Sequence, residues 1–372
     1  MGGAGAGQGA GLSPPLARPP FPAPLCLRLP CRLPVPCMTA QPSTSLYFTN
    51  ACAGWLGRWW QRPAITRLGA NSFAAGRWQV LVRRDRPALL RAALNRPGPL
   101  AWVIDDDLTS LAEANGLPAP YRERLLAFHA QWGEQLAARA DALVVPSAAL
   151  AERFIAQGVA PERIRLTAPC WAEPLADTSH FAPLAAGGQL KIVHLGSASH
   201  TGALARLVPA VLALLAGDPL AHFTYFAPRA LCPRLESHPR ARRLEPMRWA
   251  EYRRWLVRQR FHVALYPLGE DRFERARSPS KLVEHAIVGA VGVYPQGWAP
   301  ARPLLSPAPP APPMALAAPD DPGQWGPVLM ALGGQRAALA GMARDTQEYL
   351  SAQRYYAKQR AFWHSLLGLG EG

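Results

Sequence analysis

Apolar residues along this chain fall into short continuous runs separated by longer stretches with helical spacing. Ser45–Thr49 (SLYFT), Trp78–Val82 (WQVLV), Leu100–Ile104 (LAWVI) and Ala142–Val145 (ALVV) read as buried strands. Tyr121–Arg139 has the three-and-four spacing of a long amphipathic helix, and Ala148–Gln157 of a shorter one ended by Gly158. Arg163–Thr167 (RIRLT) adds a strand, and the loose stretch Ala168–Gln189 reads as a linker. The alternation then resumes. Strands are expected at Lys191–Leu195, Ala221–Phe226, Phe261–Tyr266 and Val291–Tyr294, with helices at Leu204–Leu215, Trp249–Gln259 and from Ser278 to Gly289. A proline-rich loop, Ala301–Pro313, precedes closing helices at Gln324–Leu332 and Gly341–Leu366. Alternating strands and helices imply parallel sheets. Two such series predict two α/β domains whose shared cleft lies at the carboxyl ends of the strands.

Composition refines this picture at one end. Residues 1–37 are too rich in Gly and Pro for regular structure and read as a disordered or non-native extension. The expected organisation is then a first domain over 38–185, a second domain over 186–340 and a crossover helix over 341–372. The formal charge is +15 and the pI about 10.2. All but three of the 40 basic residues are arginine, and no block of five or six consecutive basic residues occurs. The charge implies anionic partners such as phosphates or anionic membrane surfaces. A basic nucleic-acid-binding protein is an alternative reading whose only support is that charge. The six cysteines contain no CxxC pair, which argues against a disulfide framework or a zinc site and for a reducing compartment. No apolar run reaches the ~18 residues that a bilayer span needs, so the expected location is cytoplasmic, with peripheral association at the inner membrane face.

Three stretches could carry chemistry. In Arg275–Ala290, RARSPSKLVEHAIVGA, Ser278 has the features of an N-cap and Pro279 those of a first helical residue. Lys281 would then stand third in the helix, where the macrodipole disfavours a cation unless an anion is bound. Arg277, Ser278, Ser280 and Lys281 are therefore candidate phosphate ligands. Glu284 is a candidate for ribose hydroxyls, and a Lys281–Glu284 salt bridge is the plain alternative. In KIVHLGSASHTGALARL, a strand ends at Gly196 and a polar loop offers Gly196, Ser197, Ser199, His200 and Thr201 to a diphosphate. This is neither GxGxxG nor GxxxxGK[ST], which weighs against dehydrogenases and NTPases. In WVIDDDL, Asp105, Asp106 and Asp107 follow a buried strand. They could bind a metal, contact sugar hydroxyls, act as a base or cap the next helix.

Taken in order, these pieces resemble group 1 glycosyltransferases of the GT-B fold, over most of residues 100–366. ADALVVPSAALAERFIAQGVAPERIRLTAP (140–169) resembles the stretch that ends the acceptor domain. KIVHLGSASHTGAL resembles the opening of the donor domain, and FHVALYPLGEDRFERARSPSKLVEHAIVGAVGVYP the donor-site signature. The resemblance implies two Rossmann-like domains with a C-terminal helix packed back on the first. It also implies a retaining, metal-independent and cofactor-free transfer from a nucleotide sugar (UDP-, GDP- or another NDP-sugar) to a glycan, lipid or glycoside acceptor. The setting would be cell-surface polysaccharide biosynthesis, with no nucleic acid partner. It places Glu284 on the donor ribose, Ser278, Ser280 and Lys281 on the phosphates, and Asp105–Asp106 at the strand end where such acceptor domains hold a catalytic pair. The chain departs from the pattern at Ala276, where a glutamate is expected and for which Glu274 or Glu270 could substitute. The basic pair often found after the first donor-domain strand is also missing. These departures imply a non-catalytic or partner-dependent homologue as the second reading.

Overall fold

The computed structural model describes residues 41–57, 64–114, 116–196, 198–352 and 355–369, together with Gly2. The expectations for residues 1–37, apart from Gly2, and for Ser197 lie outside them. No helix among the described residues is long and apolar enough to cross a membrane.

The first sheet has seven strands in chain order: β1 (Leu56–Gly57), β2 (Ile65–Arg67), β3 (Ser72–Ala75), β4 (Trp78–Val82), β5 (Leu100–Val103), β6 (Ala142–Val145) and β7 (Ile164–Leu166). From β4 to β7 every pairing is parallel; β4 to β6 are buried along nearly their whole length, as continuous apolar runs require, whereas the edge strand β7 is largely exposed. The other edge departs from the expected all-parallel sheet, because β2, β3 and β4 pair antiparallel. Gly76 and Arg77 alone join β3 to β4, and Gly76 takes the positive φ of 55° that such a tight turn uses. A second departure is SLYFT, expected as a strand. Pro42 opens a helical segment over Pro42–Thr44 that continues as a π-helical turn over Ser45–Thr49. Its apolar run buries Leu46, Tyr47 and Phe48, which a short buried helix does as well as a strand.

The second sheet contains β8 (Leu190–His194), β9 (Ala221–Phe226), β10 (Ala241–Leu244), β11 (Val263–Leu265), β12 (Val291–Pro295) and β13 (Leu316–Ala318), in the order β10-β9-β8-β11-β12-β13. All pairings are parallel, and the order reverses beside β8. Such a reversal opens a crevice at the carboxyl ends of the central strands. Strands β10 and β13 escape the periodicity argument because edge strands are only half buried.

The closing helical region begins at Arg336 rather than at Gly341 and forms two helices, Arg336–Ala352 and Tyr355–Leu367. Gly341 has open space around it, so nothing there interrupts the first of them. The last helix packs on the first domain. Trp363 Nε1 donates to Tyr47 O at 2.8 Å, its ring meets Phe48 edge-on at 4.8 Å, and Gln359 bonds Thr167. One apolar cluster accordingly contains residues of both sheets, among them Phe73, Val103, Val193 and Ala264, together with Trp363.

Candidate functional site

A cleft of about 560 Å³ lies where the carboxyl ends of the two sheets meet. Its second-domain wall is the Ser280–Ile287 helix. Pro279 occupies the cap and Ser280 opens the helix, so Lys281 stands second, not third, and Ser278 sits one residue outside the cap. Ser278 Oγ still accepts from Ser280 N, at 3.4 Å. Lys281 Nζ lies 2.5 Å from Glu284 Oε2 and 2.5 Å from Leu195 O at the end of β8. Both side chains are largely buried, so the pair is not a solvated surface bridge. Tyr252 Oη donates to the same Glu284 oxygen at 2.5 Å, and burial followed by the Glu284 charge keeps that phenol well above its usual pKa.

The loop after β8 supplies Gly196, Ser199 and His200 to the cleft. A Cβ on Gly196 would stand 2.0 Å from the His194 ring, so only glycine fits there. Thr201 is buried at the start of the Thr201–Gly217 helix and does not line the cleft. His200 and Ser280 line it with buried polar atoms, His200 Nδ1 and Ser280 Oγ, that have no hydrogen-bond partner among the described residues. Orphaned buried polar atoms facing a cavity are the signature of a polar ligand site. Burial, reinforced by Arg277, Lys281 and His194, holds the His200 imidazole well below its usual pKa and hence neutral.

The three aspartates divide their roles. Asp107 caps the Leu108–Ser110 turn, accepting from Thr109 N at 3.1 Å and Thr109 Oγ1 at 2.6 Å. Asp105 and Asp106 face the cleft. Asp105 accepts from Ser43 Oγ at 2.6 Å and lies 3.2 Å from Arg83; burial, then its neighbour Asp106, raises its pKa despite that arginine. Asp106 binds Arg83, lies 3.5 Å from Arg277 and accepts from Tyr121 at 3.3 Å. Arg277 also pairs with Glu274 at 3.1 Å and lies over the Phe273 ring at 4.6 Å. The chain Arg83–Asp106–Arg277 therefore joins the two domains across the cleft floor. Among the described residues no group of His, Cys, Asp or Glu is arranged to hold a metal.

Arg83, Arg84, Tyr121, Ser43, Trp249 and Tyr252 also line the cleft and were not singled out in the sequence. Arg83 and Arg84 follow directly on β4, and position at a strand end was the signal available for them. Arg83 adopts a left-handed φ of 55°, held by its carbonyl accepting from Trp102 Nε1 at 2.9 Å. Non-glycine residues in that region are strained and tend to mark functional sites. Arg84 makes no ion pair among the described residues. Four cations thus face three carboxylates, Asp105, Asp106 and Glu284, which leaves the cleft electropositive.

No protein-family model matches this sequence, and no curated protein matches it. Solved structures do share its architecture. HepE of Anabaena, in complex with UDP and glucose, superposes with a TM-score of 0.53 at 14% identity, covering 75% of this chain and 74% of that one. TarM of S. aureus gives 0.55 at 11%, covering 78% of this chain and 54% of TarM, so this chain spans about half of TarM's length. WaaG, a glycosyltransferase involved in lipopolysaccharide biosynthesis, gives 0.52 at 14%, covering 74% and 80%. At these identities the shared property is the fold.

Proposed function

On the premise of this GT-B fold, we propose that the protein is a glycosyltransferase that moves a hexose from a nucleotide-sugar donor to a glycan, lipid or glycoside acceptor. The observation that carries the proposal is the Lys281–Glu284–Tyr252 cluster at the mouth of the Ser280–Ile287 helix. It sets a carboxylate suited to ribose hydroxyls beside an ammonium and exposed helix amides suited to phosphates. HepE and TarM have been crystallised with UDP, which makes a UDP-sugar the first donor to test.

In this reading the diphosphate lies against Ser278, Ser280, Lys281 and the Gly196–His200 loop. Arg84 and Lys281 stabilise the charge that develops on the leaving diphosphate. The sugar then passes through an oxocarbenium-like state. Asp105, paired to Ser43 and Arg83, is the carboxylate best placed to orient the acceptor hydroxyl. Retention at the anomeric carbon, action in cell-surface polysaccharide biosynthesis and peripheral association with the cytoplasmic membrane face belong to the same proposal. A thermal-shift screen against UDP, GDP, ADP and TDP tests it. A selective upward shift with one nucleotide that disappears in Lys281→Ala is expected. No shift with any of them would sink the donor assignment.

A specific observation supports a second reading, a non-catalytic or partner-dependent homologue. Ala276 is buried and its carbonyl accepts from Ser147 Oγ at 3.1 Å, while Glu274 is engaged by Arg277; neither Glu274 nor Glu270 lines the cleft. Neither of the two expected substitutes therefore supplies the carboxylate missing at 276. Hydrolysis of a UDP-sugar by the purified protein would exclude this reading.

A further inference from the structure

The second domain holds another cavity of about 560 Å³, separate from the cleft. It lies along the outer strands of the second sheet. The parallel register aligns Lys191 with His222 and Thr224 with Arg242, and partners in a parallel pair point to the same side. The Trp249–Leu256 helix covers this sheet face where it is apolar, with Phe226 in ring contact with Tyr252 at 5.7 Å and Trp255 at 5.1 Å. An eight-residue helix is about 12 Å long, whereas the six residues of β9 extend about 20 Å. The polar part of the face stays open as a groove floored by Lys191, His222, Thr224 and Arg242 and edged by Arg258 and Arg260.

The charge in this groove is of one sign. No Asp or Glu lines it. The side chains of Lys191, Arg242 and Arg258 make no ion pair among the described residues. Arg240 and Arg260 donate only to backbone carbonyls, which fixes the side chains without neutralising them. The local field is visible at His222, whose pKa is lowered by burial first and then by Arg240 and Lys191. Five cations lining one cavity repel unless an anion joins them. Arginines on the rim of a polar groove are suited to bidentate capture of phosphate oxygens.

We infer that this groove is a binding site for a ligand carrying several phosphate charges, either a free oligophosphate anion or a phosphate-bearing lipid headgroup. The inference is independent of the glycosyl-transfer reading, because none of the groove residues lines the cleft.

The test is calorimetric titration of the full chain with sodium tripolyphosphate, beside co-sedimentation with phosphatidylglycerol–phosphatidylcholine vesicles. Arg242 and Arg258 are exposed, so Arg242→Gln/Arg258→Gln should fold normally, as circular dichroism will verify. Saturable tripolyphosphate binding is expected in the native protein and in Lys281→Ala, where the cleft is disabled. It should weaken about tenfold or more in the double variant, since each charge-assisted bond lost is worth ~1.5–3 kcal/mol. Vesicle binding lost in the same variant would identify a lipid headgroup as the source, and soluble binding alone a free anion. The site is refuted if neither probe binds, or if the double variant behaves like the native protein. It is equally refuted if Lys281→Ala alone abolishes binding, or if Arg86→Gln/Arg91→Gln, exposed arginines elsewhere, weaken it as much.

Discussion

Lys281 and Glu284, one helical turn apart, meet at 2.5 Å in the wall of the cleft, and Tyr252 from a different helix donates to the same carboxylate oxygen. A lysine in the first turn of a helix opposes the macrodipole. Here its charge is met by Glu284 and by the carbonyl of Leu195. The pair anchors both residues without filling all three ammonium donors, so the lysine can still receive a phosphate oxygen.

Lys281→Ala should weaken UDP binding by about 10- to 100-fold, the loss of one charge-assisted hydrogen bond of ~1.5–3 kcal/mol. Lys281→Arg should not restore it, because a planar guanidinium cannot replace a compact ammonium between Leu195 O and Glu284. Calorimetric titration with UDP measures both. Unchanged affinity in Lys281→Ala would remove the lysine from the donor site.

Tyr252→Phe deletes the second hydrogen bond to Glu284 and leaves Lys281 in place. A stability loss of about 1 kcal/mol is expected from chemical denaturation. UDP affinity should also fall several-fold, because the carboxylate is less firmly oriented. If the variant bound UDP as tightly as the native protein, Tyr252 would be a packing residue only.

Gly196→Ala places a methyl group 2.0 Å from the buried His194 ring. That ring is itself buried, so overpacking should cost about 1–3 kcal/mol. The displaced loop should also lose its nucleotide-induced thermal shift. A well-folded variant with a normal shift would show that the loop does not touch the donor.

Asp105→Asn keeps the Ser43 contact and removes the charge facing Arg83. Transfer to acceptor should fall at least about 100-fold, with UDP affinity unchanged. Asp106→Asn should instead destabilise the protein by about 3–5 kcal/mol, because it strips a partner from two buried arginines at once. Equal loss of stability in both variants would argue against a catalytic role for Asp105.

His194, held down to about 3, and His200 and His285, held well below the usual histidine value, are all kept neutral chiefly by burial. In the unfolded chain each titrates near 6.5. The unfolded state therefore binds more protons below that pH, and stability is full above it and lost as pH falls. The loss is up to about 1.4 kcal/mol per pH unit for each histidine. Asp105 and Glu274, whose pKa values burial raises, act in the opposite sense at lower pH. Denaturation midpoints at pH 7.5, 6.5 and 5.5 should show a decline that begins near 6.5. A flat profile there would mean the three rings are not buried as neutral groups.

The second-domain wall of the cleft was legible in the sequence because its residues are close neighbours in the chain. Strand end, loop and helix start are local features, and Lys281 and Glu284 share one helical turn. The acidic strand end was legible for a similar reason, since a buried strand followed by carboxylates stands out. Which aspartate does what was not legible: Asp107 capping its own turn, Asp105 meeting Ser43 and Asp106 meeting Arg277 depend on partners up to 171 positions away.

Periodicity alone thus determined two strand-helix series and the edge of a cleft. Tertiary structure decided the rest. It turned SLYFT into a helical turn, because burial on all sides makes strand and helix equally acceptable to an apolar run. It brought Tyr252 to Glu284 and Arg83 to Asp106, because charges and hydroxyls removed from water must find partners wherever the fold supplies them.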